Sequence, residues 1–333
     1  MGWAEQQAYH EAGEPERLAA TADLLAAVPG PAPSIDLRAR VLAAAHQQRS
    51  PGVAGVRELT EPLAEQVAAL DDLLSALRPH QLRLMTGRHG DAAGVLAHLT
   101  ANDAALAADL GLDCDYAADA YTRDRYTRDG DSGSDADDPG SDAELPLLLP
   151  TGTLTITRTW RERADRLLVT LSALDDSVLD RPVRLAGVAG LRRPARQALV
   201  QRTFETWTHR NDLERLVGRV PGPIGAVAAR QIVNLAMDLL PTALRAAGVH
   251  RPGEVAILDL SGVAAGAWRV RLGGTGNGDD AHGAVVTTIS ADSLDFCRLV
   301  ANRESPDRLA HRVVGDRAVA TRLLTIATTL GCD

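Results

Sequence analysis

The hydrophobic pattern changes period once, at Arg251-Pro252-Gly253, and that change restricts the chain to one broad fold class. Before it, apolar residues recur every three or four positions. Leu59, Leu63, Val67, Leu70, Leu73 and Leu74 share one face of a helix over 56–77, which Arg78-Pro79 stops. After it, residues 255–260 and 268–272 alternate and 284–289 is rich in Val and Thr, so all three read as strands, with turns at 262–266 and 273–280. A helix over 291–301, a short strand over 311–314 and a closing helix over 318–330 complete the pattern. Helices followed by strands with interspersed helices predict an α+β protein: a helical bundle over 53–250, then a small α+β domain over 251–333 with a three- to four-stranded sheet.

Within the helical part, a second helix starts near Gly90-Asp91 and runs through Val95, Leu96, His98 and Leu99 to Gly111. A third covers 152–174 with Trp160, Ala164, Leu167, Leu168 and Leu171, a fourth 194–217, and a fifth 224–247 after Pro221-Gly222-Pro223. Residues 174–194 read as a connector. Two short helices at 18–28 and 35–45, the second capped by Ser34, form an N-terminal arm over 1–52.

Residues 113–144 interrupt this pattern with eleven acidic residues against three arginines and almost nothing aliphatic. Such a segment cannot bury enough surface to offset its ordering entropy, which predicts a long mobile acidic insertion over 113–146. It carries most of the acidity of a chain whose formal charge is −9. The string Asp129-Gly-Asp131-Ser-Gly-Ser-Asp135 departs from the spacing of an EF-hand loop, and no flanking helices or terminal Glu fit.

With 44 acidic and 35 basic residues, every one of the latter Arg, the composition argues against a nucleic-acid partner. The most apolar stretch, 227–249, is broken by Arg230, Asp238, Pro241 and Arg245 and reads as a core helix, so no membrane span is expected. Cys114, Cys297 and Cys332 are far apart and odd in number; they give no disulfide framework and no C-x-x-C site, and the reducing cytoplasm is the expected location.

The chemistry concentrates in the fourth helix, in Phe204-Glu205-Thr206-Trp207-Thr208-His209-Arg210-Asn211-Asp212. Glu205 and His209 leave the same face one turn apart, Gln201 and Asp212 extend a polar stripe, and Leu199, Val200, Phe204, Trp207 and Leu213 lie to the other side. A carboxylate and an imidazole at that spacing can share a zinc ion if a third ligand comes from elsewhere, and they can equally form a solvated pair on a helix surface. His98 reads as a metal ligand or as a polar residue at a helix edge, one turn from Val95 and Asn102.

Three features together resemble the mycothiol-dependent maleylpyruvate isomerase family, whose N-terminal domain is a DinB-like four-helix bundle. They are the histidine in Asp91-Ala-Ala-Gly-Val-Leu-Ala-His98-Leu, the string Glu205-x3-His209-x2-Asp212, and a C-terminal domain with Trp268 between strands, Ser290-Ala-Asp292 opening a helix, and the turns Asn302-Arg303 and Val314-Gly-Asp316. The resemblance spans about 56–330. It implies zinc held by His98, Glu205 and His209, mycothiol or a similar low-molecular-weight thiol as cosubstrate, and a small electrophilic substrate that is isomerised or receives the thiol. Asp212 is the candidate to orient an imidazole, or else pairs with Arg215 or Arg210. Arg303 is the candidate to bind an acidic substrate, with Arg312 behind it. The family's turn often reads Gly-Arg where this chain has Asn302-Arg303. The N-terminal arm separately resembles the segment after the zinc finger of anti-sigma factors, which makes a sigma factor a second candidate partner, although the H-x3-C-x2-C finger is absent after His10. On that alternative the chain is a regulator whose bundle senses metal or thiol.

Overall fold

The structure is a computed structural model, and it describes residues 55–86, 89–112, 150–186, 191–273 and 283–331. The N-terminal arm and the acidic insertion, and with them the sigma-factor expectation, lie outside the described residues. Seven α-helices are present among the described residues: α1 (Val56–Ala76), α2 (Ala92–Leu110), α3 (Pro150–Ser172), α4 (Ala195–Leu216), α5 (Ala226–Ala246), α6 (Ser293–Val300) and α7 (Arg317–Ala327). Strands β1 (Pro182–Arg184) and β2 (Arg192–Pro194) form a small hairpin, and β3 (Glu254–Ser261), β4 (Gly266–Arg271), β5 (Ala284–Asp292) and β6 (His311–Gly315) form the main sheet. Helix gives way to sheet between Ala246 and Glu254, as the change of period predicts, and the protein is α+β.

Four long helices contact one another in a ring: α1 packs on α3 and α4, and α2 packs on α3 and α4. The leucine stripe of α1 is buried throughout, from Leu63 onward in one cluster with Leu96, Leu99, Trp160 and Leu213. The Asp91 carboxylate starts α2 by accepting from the Gly94 amide at 3.1 Å. Helix α5 packs on α4 and also on α6, α7 and β4, so a second apolar core continues from α4 through α5 under the sheet to Ala327.

The sheet order is β4-β3-β5-β6; β3 pairs β4 antiparallel and β5 parallel, and β5 pairs β6 antiparallel. At the end of β6, Gly315 has φ 100° beside the Val286 carbonyl, into which a Cβ would run, so only glycine fits there. The Asp292 carboxylate caps α6 through the Leu294 amide at 2.8 Å, and Asp316 caps α7 through those of Ala318 and Val319.

Two findings depart from the sequence reading. The connector contains the β1–β2 hairpin, which covers the end of α2: the Arg184 amide donates to Asp109 at 2.7 Å and the Arg181 guanidinium to the Leu110 carbonyl at 2.9 Å. Helix α4 is also not amphipathic in its setting, because residues 198–211 are buried on every side. It lies between α1 and α2 on one flank and α5 on the other, and most of its polar residues find partners inside the protein, the Thr208 hydroxyl being an exception among the described residues. Gln201 exchanges two hydrogen bonds of 2.9 Å with the backbone of Ala186, and Arg210 donates to Gln66 at 3.1 Å and to the Pro223 carbonyl at 3.0 Å.

Candidate metal centre

Helix α2 carries His98 and helix α4 carries His209, and their rings stand 5.2 Å apart between centroids at 78°. A third imidazole joins them. His89 lies in the loop before α2, 4.1 Å from His98 and 4.9 Å from His209. One nitrogen from each of the three rings lies within 4.8 Å of the others. The loop owes its shape to Thr86, whose amide and hydroxyl both donate to the Gly90 carbonyl at 2.5 Å, while Gly90 takes φ 75°.

Glu205 stands beside the cluster, 1% exposed, with Oε2 at 3.8 Å from His98 Nε2. That oxygen accepts from Asn102 Nδ2 at 2.8 Å and from the Arg202 guanidinium. Arg202 is itself buried and also donates to Asp103 at 2.7 Å and to the Leu99 carbonyl at 3.2 Å. Burial pushes the Asp103 carboxyl up despite Arg202; burial also opposes the charge on Arg202, but Glu205 and Asp103 together raise its pKa. The other oxygen of Glu205, Oε1, is buried with no hydrogen-bond partner among the described residues.

Asp212 lies 3.6 Å from His209 Nδ1, and Arg303 grips it through Nε at 3.0 Å and Nη2 at 2.9 Å. Burial works against ionisation of Asp212, but the bonds from His209 and Arg303 overcome it and hold its carboxyl below the ordinary range. Arg215 also approaches Asp212, at 3.7 Å, whereas Arg210 pairs with Glu214. Arg303 additionally donates to the Ala301 carbonyl at 2.9 Å. Next to it, Asn302 is the one described non-glycine residue with positive φ, at 54°. Asparagine tolerates that left-handed backbone best after glycine, so Asn302-Arg303 makes the turn that Gly-Arg would make.

A cavity of about 850 Å³ opens here, with Thr86, His89, Asp212, Arg215, Asn302 and Arg303 in its wall. The structure thus brings His98, Glu205, His209 and Asp212 together and sets Arg303 at the cavity with its fork on Asp212. Arg312 stands elsewhere, paired across the sheet with Ser290. Sequence reasoning missed His89, Asn102 and Arg202. Nothing in the spacing of His89 to His98 marks a ligand pair, since one of the two lies off the helix; a histidine beside Gly90 just ahead of a capped helix was the one available hint. Among the described residues the free thiol is Cys297, fully buried, its pKa pushed up by burial to about 12, which leaves it inert at neutral pH.

No family model matches the chain, and no curated protein does. Among solved structures it is similar to a mycothiol-dependent maleylpyruvate isomerase and to a histidine-to-alanine mutant of that protein. Each is 16% identical with a TM-score of 0.48, over 78% of this chain and 93% of that one. A likeness of that degree assigns no chemistry to this chain.

Proposed function

We propose that the chain is a metal-dependent enzyme that sets a low-molecular-weight thiol of the mycothiol kind against a small electrophile, either isomerising an activated double bond or transferring the thiol. The observation that carries this reading is the convergence of the His98 and His209 imidazoles with His89, next to a buried carboxylate, where His89 and Asp212 line a cavity large enough for a small molecule.

The donors suit a borderline dication such as zinc. Imidazole nitrogens and a carboxylate oxygen are its usual N/O ligands, and the unpartnered Oε1 of Glu205 is the kind of buried atom a nearby cation satisfies. His98 and His209 supply two donors, and Glu205 or His89 supplies the third. When bound, such an ion lowers the pKa of a coordinated thiol and makes a thiolate available at neutral pH. Among the described residues the one thiol, Cys297, is buried and inert, and on this reading the thiol is a second substrate.

The protein's own groups then have separable tasks. Asp212, pinned by Arg303, fixes His209 with the proton on Nδ1, which leaves Nε2 as the donor. Arg215 and Arg303 in the cavity wall give an acidic electrophile a cationic side to lie against. Elemental analysis of the purified protein should find one equivalent of zinc, reduced to a small fraction in His98→Ala and His209→Ala. Thiol consumption against a panel of activated alkenes and epoxides should require that zinc. A wild-type protein that neither retains nor takes up a divalent metal would end this reading.

A further inference from the structure

Resting on the metal-dependent function proposed for this site, we infer that a divalent ion bound there is held by the three imidazoles of His89, His98 and His209. Glu205 then stands beside them as a fixed carboxylate and not as a ligand. The distances favour this set. The three ring nitrogens already lie within 4.8 Å of one another, and around a tetrahedral zinc they would sit about 3.4 Å apart, given bonds of roughly 2.0–2.1 Å. The adjustment needed is small, and it falls on the one donor carried by a loop, since His98 and His209 ride on packed helices.

Glu205 is committed elsewhere. Its Oε2 serves both Asn102 and Arg202, and Arg202 is a guanidinium fully enclosed between α2 and α4. A metal bond through Oε2 would take from that buried cation one of its two counter-charges, a costly change in such surroundings. Among the described residues, the donor atoms that lie within 4.8 Å of one another are those of the three histidines, with no oxygen of Glu205 among them. The group Arg202, Asp103 and Glu205 carries one more negative charge than positive when ionised, and a dication nearby offsets the excess through space without a bond.

Glu205 acts instead through Asn102. A carboxylate can only accept, so the Asn102 amide must turn its NH₂ toward it. The same nitrogen lies 3.2 Å from His98 Nε2, which makes Nε2 the unprotonated nitrogen of that ring. His98 and His209 therefore both carry their ring lone pair on Nε2. In His98 the Asn102 N–H that occupies it gives way when an ion binds, and Glu205, which keeps hold of Asn102, is a positioning residue. The chemical consequence is charge. Three neutral ligands leave the ion its full double charge, where a carboxylate in the set would halve it, so the open fourth place favours an anionic ligand such as a thiolate.

The test is a titration of the metal-stripped full chain with Co(II) and Zn(II), read by the visible absorption of Co(II) and by competition with a chromophoric chelator. His89→Ala should weaken binding by about 100-fold or more and alter the Co(II) spectrum. Glu205→Gln should keep one equivalent and the wild-type spectral shape, losing no more than the roughly 10–100-fold typical of a group that orients a ligand. In ¹⁵N spectra of histidine-labelled wild type, zinc should shift the ring nitrogens of His89 along with those of His98 and His209, a readout that does not depend on how any variant folds. Wild-type affinity in His89→Ala, a Glu205→Gln protein that binds no metal, or an unshifted His89 ring would each overturn the three-imidazole set while leaving a metal site in place. A wild type that binds neither ion would remove the site altogether.

Discussion

Arg202 is the residue on which the inner side of the site depends most. Its guanidinium is enclosed by Asp103, Glu205 and the Leu99 carbonyl, and it ties α4 to α2 at the level of His98. Replacing it by Met would fill similar space but leave two carboxylates buried without a cation, a loss of about 3–5 kcal/mol at neutral pH. Asp103 fixes the sign of the pH effect. Burial holds its folded-state pKa above the unfolded one, so its contribution to stability is full at low pH and falls as pH rises through the folded value. Without Arg202 the Asp103 carboxyl would be raised further, so the deficit of Arg202→Met should narrow on acidification. Urea unfolding at pH 7 and pH 5 measures this, and a deficit at pH 7 below about 1 kcal/mol would mean that the pair contributes little. None of this network was legible beforehand. Glu205 and His209 announce themselves by spacing, but Arg202 acquires its meaning from Asp103, some hundred residues away. His89 acquires its own from a loop with no periodicity to read.

At the scale of elements, reading was easier where a period was long. The leucines of α1 and the Gly90-Asp91 start of α2 mark those helices by themselves, and the alternation in β3 and β4 marks the strands. The three-residue strands β1 and β2 are too short to show any period, so the hairpin was hidden. Burial of α4 on all sides was hidden too, because its polar residues look solvent-facing until their partners in α1, in α2 and around Ala186 are known. The cap at Asp316, which the sequence shows only as a turn, makes a direct test. The Asp316 carboxylate accepts from two amides of α7 and from Arg251 at 2.9 Å, and the bond from Arg251 leads in holding its pKa low. A depressed folded-state value means that this stabilisation is present above the unfolded pKa of about 3.9 and is lost as pH falls through the folded one. Asp316→Ala should therefore melt below wild type at pH 7 and approach it near pH 3. A gap of equal size at both values would show that the charge of the cap is irrelevant.

For the described residues as a whole, the period change at 251–253 separates two architectures but does not divide the larger of the two apolar cores. One apolar cluster runs from Val56 through α4 and α5 to Leu323 and Ala327, so helices and sheet should lose structure together. Hydrogen exchange measured by mass spectrometry across a urea series should show peptides from α5 and from β5 opening at the same denaturant concentration; separate midpoints would show two independent units. No helix among the described residues is long and apolar enough to cross a membrane. The grip of Arg303 on Asp212 joins the same two architectures at the cavity itself, with one partner from the turn after α6 and the other from the last turns of α4. Neither half can therefore be exchanged for a foreign counterpart without disturbing the aim of the His209 ring.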